Sequence, residues 1–170
     1  NNITAGKFNH KEGSLRSPLF SCYNQAMEKY KASLVDTIKK MGDIDQAVRL
    51  AAKDSIGLRP PNILIYAVDT CHNYHIRRII EEHGYPTKET LGSDGLTAWW
   101  LLIQHQDFDT SLQEACLKNC GFASKEKAFL VDRVLANKGK KQVYGTQMGV
   151  EVKNPKALNK RREEMGLEPL

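Results

Sequence analysis

A mainly α fold is what this sequence predicts: one compact multi-helix domain with a small β hairpin or extended excursion near residues 142–152. Three observations predict it. Apolar residues recur at helical spacing in several separate stretches. The run at residues 99–103, WWLLI, covers every direction around a helix, so that helix must be central and buried rather than half wet. Only one short stretch, at 142–152, breaks the helical pattern with Val, Tyr and glycines. At 170 residues the chain is long enough to bury a core without metal or disulfide staples, so a single domain is expected over residues 18–170.

In chain order, residues 1–17 mix Gly, Asn, Lys and His without apolar periodicity and read as a flexible arm. From Pro18 the positions Tyr23, Met27, Tyr30, Leu34, Ile38 and Met41 mark a helix, which Gly42 is expected to stop. A shorter helix follows through Ile44, Ala47, Val48 and Ala51, closed by Gly57 before the break at Pro60-Pro61. Residues 62–83 keep the helical period at Ile65, Val68, His72, Ile76 and Ile79, with a strand over 63–68 as the alternative. Gly84-Tyr85-Pro86 makes a turn, and Ser93 is the expected N-cap of the central helix at 96–106. The next helix carries Leu112, Cys116 and Cys120. Ser124 is the expected cap of the one after it, where Ala128, Val131 and Leu135 form the stripe with Asp132 beside them, to Gly139. After the excursion, Asn154-Pro155 starts a closing helix that packs Leu158 and Met165.

Composition excludes some function classes. The net charge of +5 arises from 25 basic and 20 acidic residues that are interspersed, and the basic residues between 138 and 162 read as a solvated face, not a nucleic-acid surface. No run is long and apolar enough to span a bilayer. The chain opens on Asn1 without a methionine, so a cytoplasmic location and export after loss of an upstream leader both stand. Cys22, Cys71, Cys116 and Cys120 form no C-x-x-C pair, and Cys116 and Cys120, one helical turn apart, are read as buried free thiols. His72, His75, His105, Asp107 and Asp109 lack the i, i+4 histidine pair that favours zinc, so no metal and no cofactor is assigned.

The polar groups that do fall on inward stripes are the candidates for chemistry. His105 follows Leu101 and Leu102 by a helical turn, which puts an imidazole where it needs a hydrogen-bond partner. Asp69 and His72 share the inward side of their helix. These elements, taken in order, carry a resemblance: Asp69-x-x-His72, Gly84-Tyr85-Pro86, Trp99-x4-Gln104-His105-x-Asp107, Leu130-x-Asp132-Arg133-Val134, Gln142-x-Tyr144-Gly145-Thr146-Gln147, and the tail from Arg161-Arg162 to Leu170. Over residues 69–170 the chain resembles a bacterial family of unknown function. The resemblance strengthens the choice of residues and implies no activity.

The expected site is a polar pocket at the C-terminal end of the central helix. His105 is its candidate general base and Asp132 the carboxylate that would orient the imidazole, as in hydrolytic triads. Asp69, His72, Gln104, Asp107, Arg133, Tyr144, Thr146, Gln147 and Arg162 are the candidate ligand-binding residues. No serine or cysteine stands in a nucleophile motif, which favours water activation over covalent catalysis. The expected partner is a small polar molecule or a peptide end; the alternative is a non-catalytic module that docks a partner protein and whose inward polar residues only lock helices together.

Overall fold

The computed structural model describes the backbone of residues 18–54 and 62–170, and within them the side chains of residues 29, 32–51 and 63–170. The expected arm at 1–17, Gly57 and the Pro60-Pro61 break lie outside the described residues, as do the side chains of Cys22, Tyr23, Met27 and Tyr30. Six α-helices are described: α1 (Pro18–Asp54), α2 (Asn62–His83), α3 (Lys88–Gln104), α4 (Thr110–Asn119), α5 (Ser124–Asn137) and α6 (Leu158–Glu164). None of the described helices is long and apolar enough to cross a membrane.

The helix expected to stop at Gly42 runs on to Asp54, so two predicted helices are one. A glycine inside a helix costs about 1 kcal/mol relative to alanine. Here packing offsets it: Gly42 is buried where α1 meets α3, and a Cβ at that position would already stand 3.9 Å from that of Ala98. A turn away, a Cβ on Gly95 of α3 would fall 3.4 Å from a Val35 methyl of α1, so small residues let these two helices approach closely. The apolar stripe of α1 therefore continues past the glycine. Ile38 and Met41 are buried before it, and Asp45 after it.

The strand considered for residues 63–68 is absent. Residues 62–83 form one helix, and Ile63, Leu64 and Tyr66 are exposed. Helix α3 is central, as the run at 99–103 requires. No residue from 98 to 106 is exposed, and Trp99, Leu102 and Ile103 are fully buried. Trp100 is only half-buried; its indole N–H donates to the Glu126 carbonyl at 2.9 Å and its ring stands edge-on to Phe129. The helix begins earlier than expected, at Lys88, and is broken at Gly92, whose φ of +68° and ψ of 177° only glycine adopts without strain. It ends at Gln104, which leaves His105 as the C-cap rather than inside the helix.

Around α3 the core gathers Ile38 and Met41 from α1, Ile76 and Ile79 from α2, Leu112 and Cys116 from α4, and Leu130 and Val134 from α5. On α5 the buried face thus turns by one residue from the expected stripe, and Val131 and Leu135 are half-buried. The helix starts at Ser124 itself; Ala123 occupies the cap position, and Glu126 accepts its N–H at 2.9 Å. Cys116 and Cys120 are buried free thiols, and the hydrogen bond with Cys120, together with burial, pushes Cys116 well up. The extended excursion reduces to one parallel bridge, Gln142 with Val152, the only β pairing among the described residues. Asn154 enters the closing segment with φ +48°, a 3-10 turn (Pro155–Ala157) follows, and α6 completes the chain.

Candidate functional site

Positions Leu34, Ile38, Met41 and Asp45 follow one another at three- and four-residue steps on α1, which carries Asp45 inward along the apolar stripe. Arg49 lies one turn further and reaches back. Its Nη1 donates to Asp45 Oδ1 at 2.5 Å, and its Nη2 donates to both oxygens of Asp69 on α2, at 2.8 and 2.9 Å. The other Asp45 oxygen stands 2.8 Å from His105 Nδ1 at the end of α3 and accepts from the Gln46 amide at 2.8 Å. His72, one turn past Asp69, offers a ring nitrogen, and the ligand atoms of Asp45, Asp69 and His72 all lie within 4.8 Å of one another. Three helices thus converge on two carboxylates, one guanidinium and two imidazoles.

Burial makes these interactions strong and their failure costly. Asp45 is wholly inaccessible, Asp69 and His72 are buried, and the His105 side chain keeps 11% of its surface. Burial alone would raise the Asp45 pKa, but the His105 hydrogen bond and the nearby positive charge hold it below the ordinary carboxylate value. At Asp69 burial wins over Arg49 and the pKa is raised. Burial likewise pushes His72 down, so its neutral form is favoured. Its Nδ1 is buried and has no hydrogen-bond partner.

Chemically, the Asp45–His105 pair is an oriented imidazole. If Nδ1 carries the proton and donates it to the carboxylate, Nε2 carries the lone pair. No described residue hydrogen-bonds that nitrogen.

The remaining predicted residues fall into other clusters. Asp132 is fully buried, and its carboxylate accepts from the N–H groups of Val143, Tyr144 and Thr146 at 2.7–3.0 Å and from the Thr146 hydroxyl at 3.0 Å. It is the anchor of the 142–147 loop. Gln142 closes the same loop, accepting from Gln147 N at 2.8 Å and donating to the Gln147 and Val150 carbonyls. Arg162, buried on α6, donates to the carbonyls of Tyr144 and Glu168, and Arg161 to those of Val143, Lys153 and Asn154. Asp132, Tyr144, Thr146, Gln147 and Arg162 therefore form a lock between α5, the loop and the chain end.

Asp107 and Arg133 make a separate brace. Their paired hydrogen bonds, both 2.7 Å, are supplemented by Asn137, and although burial opposes ionisation these donors keep the Asp107 pKa low. Gln104 contributes its main-chain carbonyl to the Gln113 amide. Asp109 caps α4 at Leu112 N and holds α2 through Asn73 and Arg77. An open groove of about 250 Å³ beside Leu34, His75, Arg78 and Glu82 lies elsewhere, between α1 and α2, and includes none of the clustered residues.

Asp69, His72 and His105 thus all lie about Asp45, which is the carboxylate at His105 Nδ1. Sequence reasoning missed Asp45 and Arg49. Two signals were available: Asp45 lies on the Leu34–Ile38–Met41 stripe, and Arg49 follows it at i+4. The expected stop at Gly42 hid both, because it detached Asp45 from that stripe.

Fold and site together define a helical protein with a buried carboxylate–guanidinium–imidazole network gathered from its first three helices. The chain belongs to a family of unknown function (DUF6624), whose model matches residues 32–170 and so takes in Asp45 and Arg49 as well as the later elements. No curated protein and no solved structure matches it.

Proposed function

We propose that the protein binds a small polar ligand or peptide end at the Asp45, Arg49, Asp69, His72 and His105 cluster, and that it hydrolyses this ligand with His105 as general base. The observation that carries the reading is the pair of a wholly buried Asp45 carboxylate and a His105 ring held at 2.8 Å through Nδ1. A carboxylate in that position fixes the imidazole tautomer and stabilises the imidazolium formed when Nε2 takes a proton from water. Arg49 and Asp69 supply the charged groups that would orient a polar substrate. In this reading Asp45 takes the role first expected of Asp132, while Tyr144, Thr146, Gln147 and Arg162 hold the fold.

A thermal-shift screen of small polar molecules and short peptides tests the proposal. A specific ligand raises the melting temperature of the wild type, since binding to the native state alone stabilises it. The same ligand has no effect on His105→Ala, with circular dichroism as the check that this variant is folded, because loss of the imidazole also leaves the buried Asp45 carboxylate short of a partner.

A second reading, a protein-docking module, has its own supporting observation. Ile63, Leu64, Tyr66 and Phe108 are exposed, with the Tyr66 and Phe108 rings 5.7 Å apart. Loss of the His105 hydrogen bond should cost about 1–3 kcal/mol under either reading; if no small molecule shifts the folded wild type, the second reading replaces the first.

A further inference from the structure

We propose that Asp45, Asp69 and His72 form a site for one divalent transition-metal ion, with the Arg49 guanidinium as the cation that yields to it. The inference rests on reading this cluster as the functional centre, and it names what that centre would use.

Three observations lead to it. The donor atoms of the three residues lie within 4.8 Å of one another, and they come from two helices whose positions the core fixes. Ligands ~2.1 Å from a shared tetrahedral ion stand about 3.4 Å apart, so small side-chain rotations close the site. Next, Arg49 engages Asp45 Oδ1 and both oxygens of Asp69, the lone pairs that a metal would take. It is also the most accessible of the three charged groups, with 22% of its side chain exposed against 1% for Asp45 and 11% for Asp69, so it can swing out without disturbing the core.

The third observation separates a metal site from a self-contained ion-pair network. His72 keeps 4% of its surface, and its Nδ1 is buried without a partner. Among the described residues Arg49 donates only to Asp45 and Asp69, so the guanidinium leaves this imidazole unserved. An ion bound to both carboxylates would serve it.

The donor chemistry selects the ion. Two carboxylates and an imidazole suit Zn²⁺, Mn²⁺ or Fe²⁺ better than Mg²⁺ or Ca²⁺, which favour all-oxygen sites. The hydrogen bond between Asp45 and His105 would then orient a metal-binding carboxylate from outside. An ion with an open position lowers the pKa of a bound water toward ~7, which would supply a nucleophile beside the Asp45–His105 pair.

The test is calorimetric titration of the untagged, chelator-treated full chain with ZnCl2, MnCl2 and MgCl2, alongside His72→Ala, Asp69→Asn and Arg49→Gln, with circular dichroism as the check on folding. The expected result is one Zn²⁺ or Mn²⁺ per chain and little response to Mg²⁺. Affinity should fall in His72→Ala and Asp69→Asn by at least the ~10-fold that follows loss of an outer-shell partner. Arg49→Gln should bind more tightly than the wild type, because the competing cation is gone; a purely structural arginine gives no such gain. Should Arg49→Gln not fold, displacement of the His72 ring nitrogen resonances by Zn²⁺ in the wild type supplies the same evidence. No binding by the folded wild type, or binding unchanged in His72→Ala, overturns the metal site. If a His105-dependent ligand response survives that result, the metal inference alone falls; if the ligand response is missing too, the reading of the cluster as a site falls with it.

Discussion

Asp109 offers a sharp test of how the site is braced. It caps α4 through Leu112 N at 3.1 Å, accepts from Ser111 at 2.7 Å and from Asn73 at 2.9 Å, and pairs with Arg77. Asn73 is the neighbour of His72, so this one carboxylate ties the site-bearing helix α2 to the turn that follows His105. Burial opposes its ionisation, but the hydrogen bonds from Asn73, Ser111, Arg77 and Leu112 outweigh that and lower its pKa from 3.8 to about 2. At 1.36 kcal/mol per pH unit, the difference corresponds to a ceiling of roughly 2.4 kcal/mol. Arg77 is more than half exposed, so solvent screening brings the expected contribution to about 1–1.5 kcal/mol.

Asn keeps the oxygen that caps Leu112 N, but it loses the charge and puts an amide donor where the second carboxylate oxygen accepts from Asn73 and Arg77. Asp109→Asn should therefore destabilise the protein by at least about 1–1.5 kcal/mol at pH 7, and Asp109→Ala further by the lost cap, about 1 kcal/mol. A folded-state pKa below the unfolded one gives stability that is fully present above pH ~4 and lost as pH falls through about 2. Urea denaturation of the wild type and Asp109→Asn at several pH values measures this. The part of the gap owed to the charge should narrow to about half by pH 3. A gap of the same size at pH 7 and pH 3 would falsify the assignment of this stability to the ionised carboxylate.

Two further outcomes follow from the geometry. Asp132→Ala removes the acceptor of three main-chain N–H groups and a hydroxyl, and with each stranded buried donor costing about 1–3 kcal/mol the loss should be at least ~3 kcal/mol; hydrogen exchange at Val143, Tyr144 and Thr146 should rise with it, and unchanged protection there refutes the anchor. Trp99 is fully buried and Trp100 half-buried, so Trp99→Ala should cost about 3–5 kcal/mol, and the Trp100→Phe protein should show blue-shifted emission resistant to iodide; a red emission easily quenched in that variant would mean that α3 is not central.

What the sequence determined by itself is the mainly helical class and the central place of residues 99–103. Periodicity and an all-round apolar run are local properties, and burial of that surface dominates the folding free energy. The inward direction of Asp69 and His72 was legible for the same reason, since both follow from spacing on one helix. The fate of Gly42 was not: a helix continues through a glycine when a neighbouring helix packs over it, and that neighbour, Ala98 on α3, is distant in sequence. Nor could spacing choose the partner of His105. Asp45 and Asp132 are both inward carboxylates, and the choice between them is made by which one is already taken. The loop at 143–146 presents its N–H groups to Asp132, whereas α1, continuing unbroken past Gly42, carries Asp45 to His105. A buried polar group takes whatever partner the packed helices bring within hydrogen-bond range, and only the tertiary structure sets that distance.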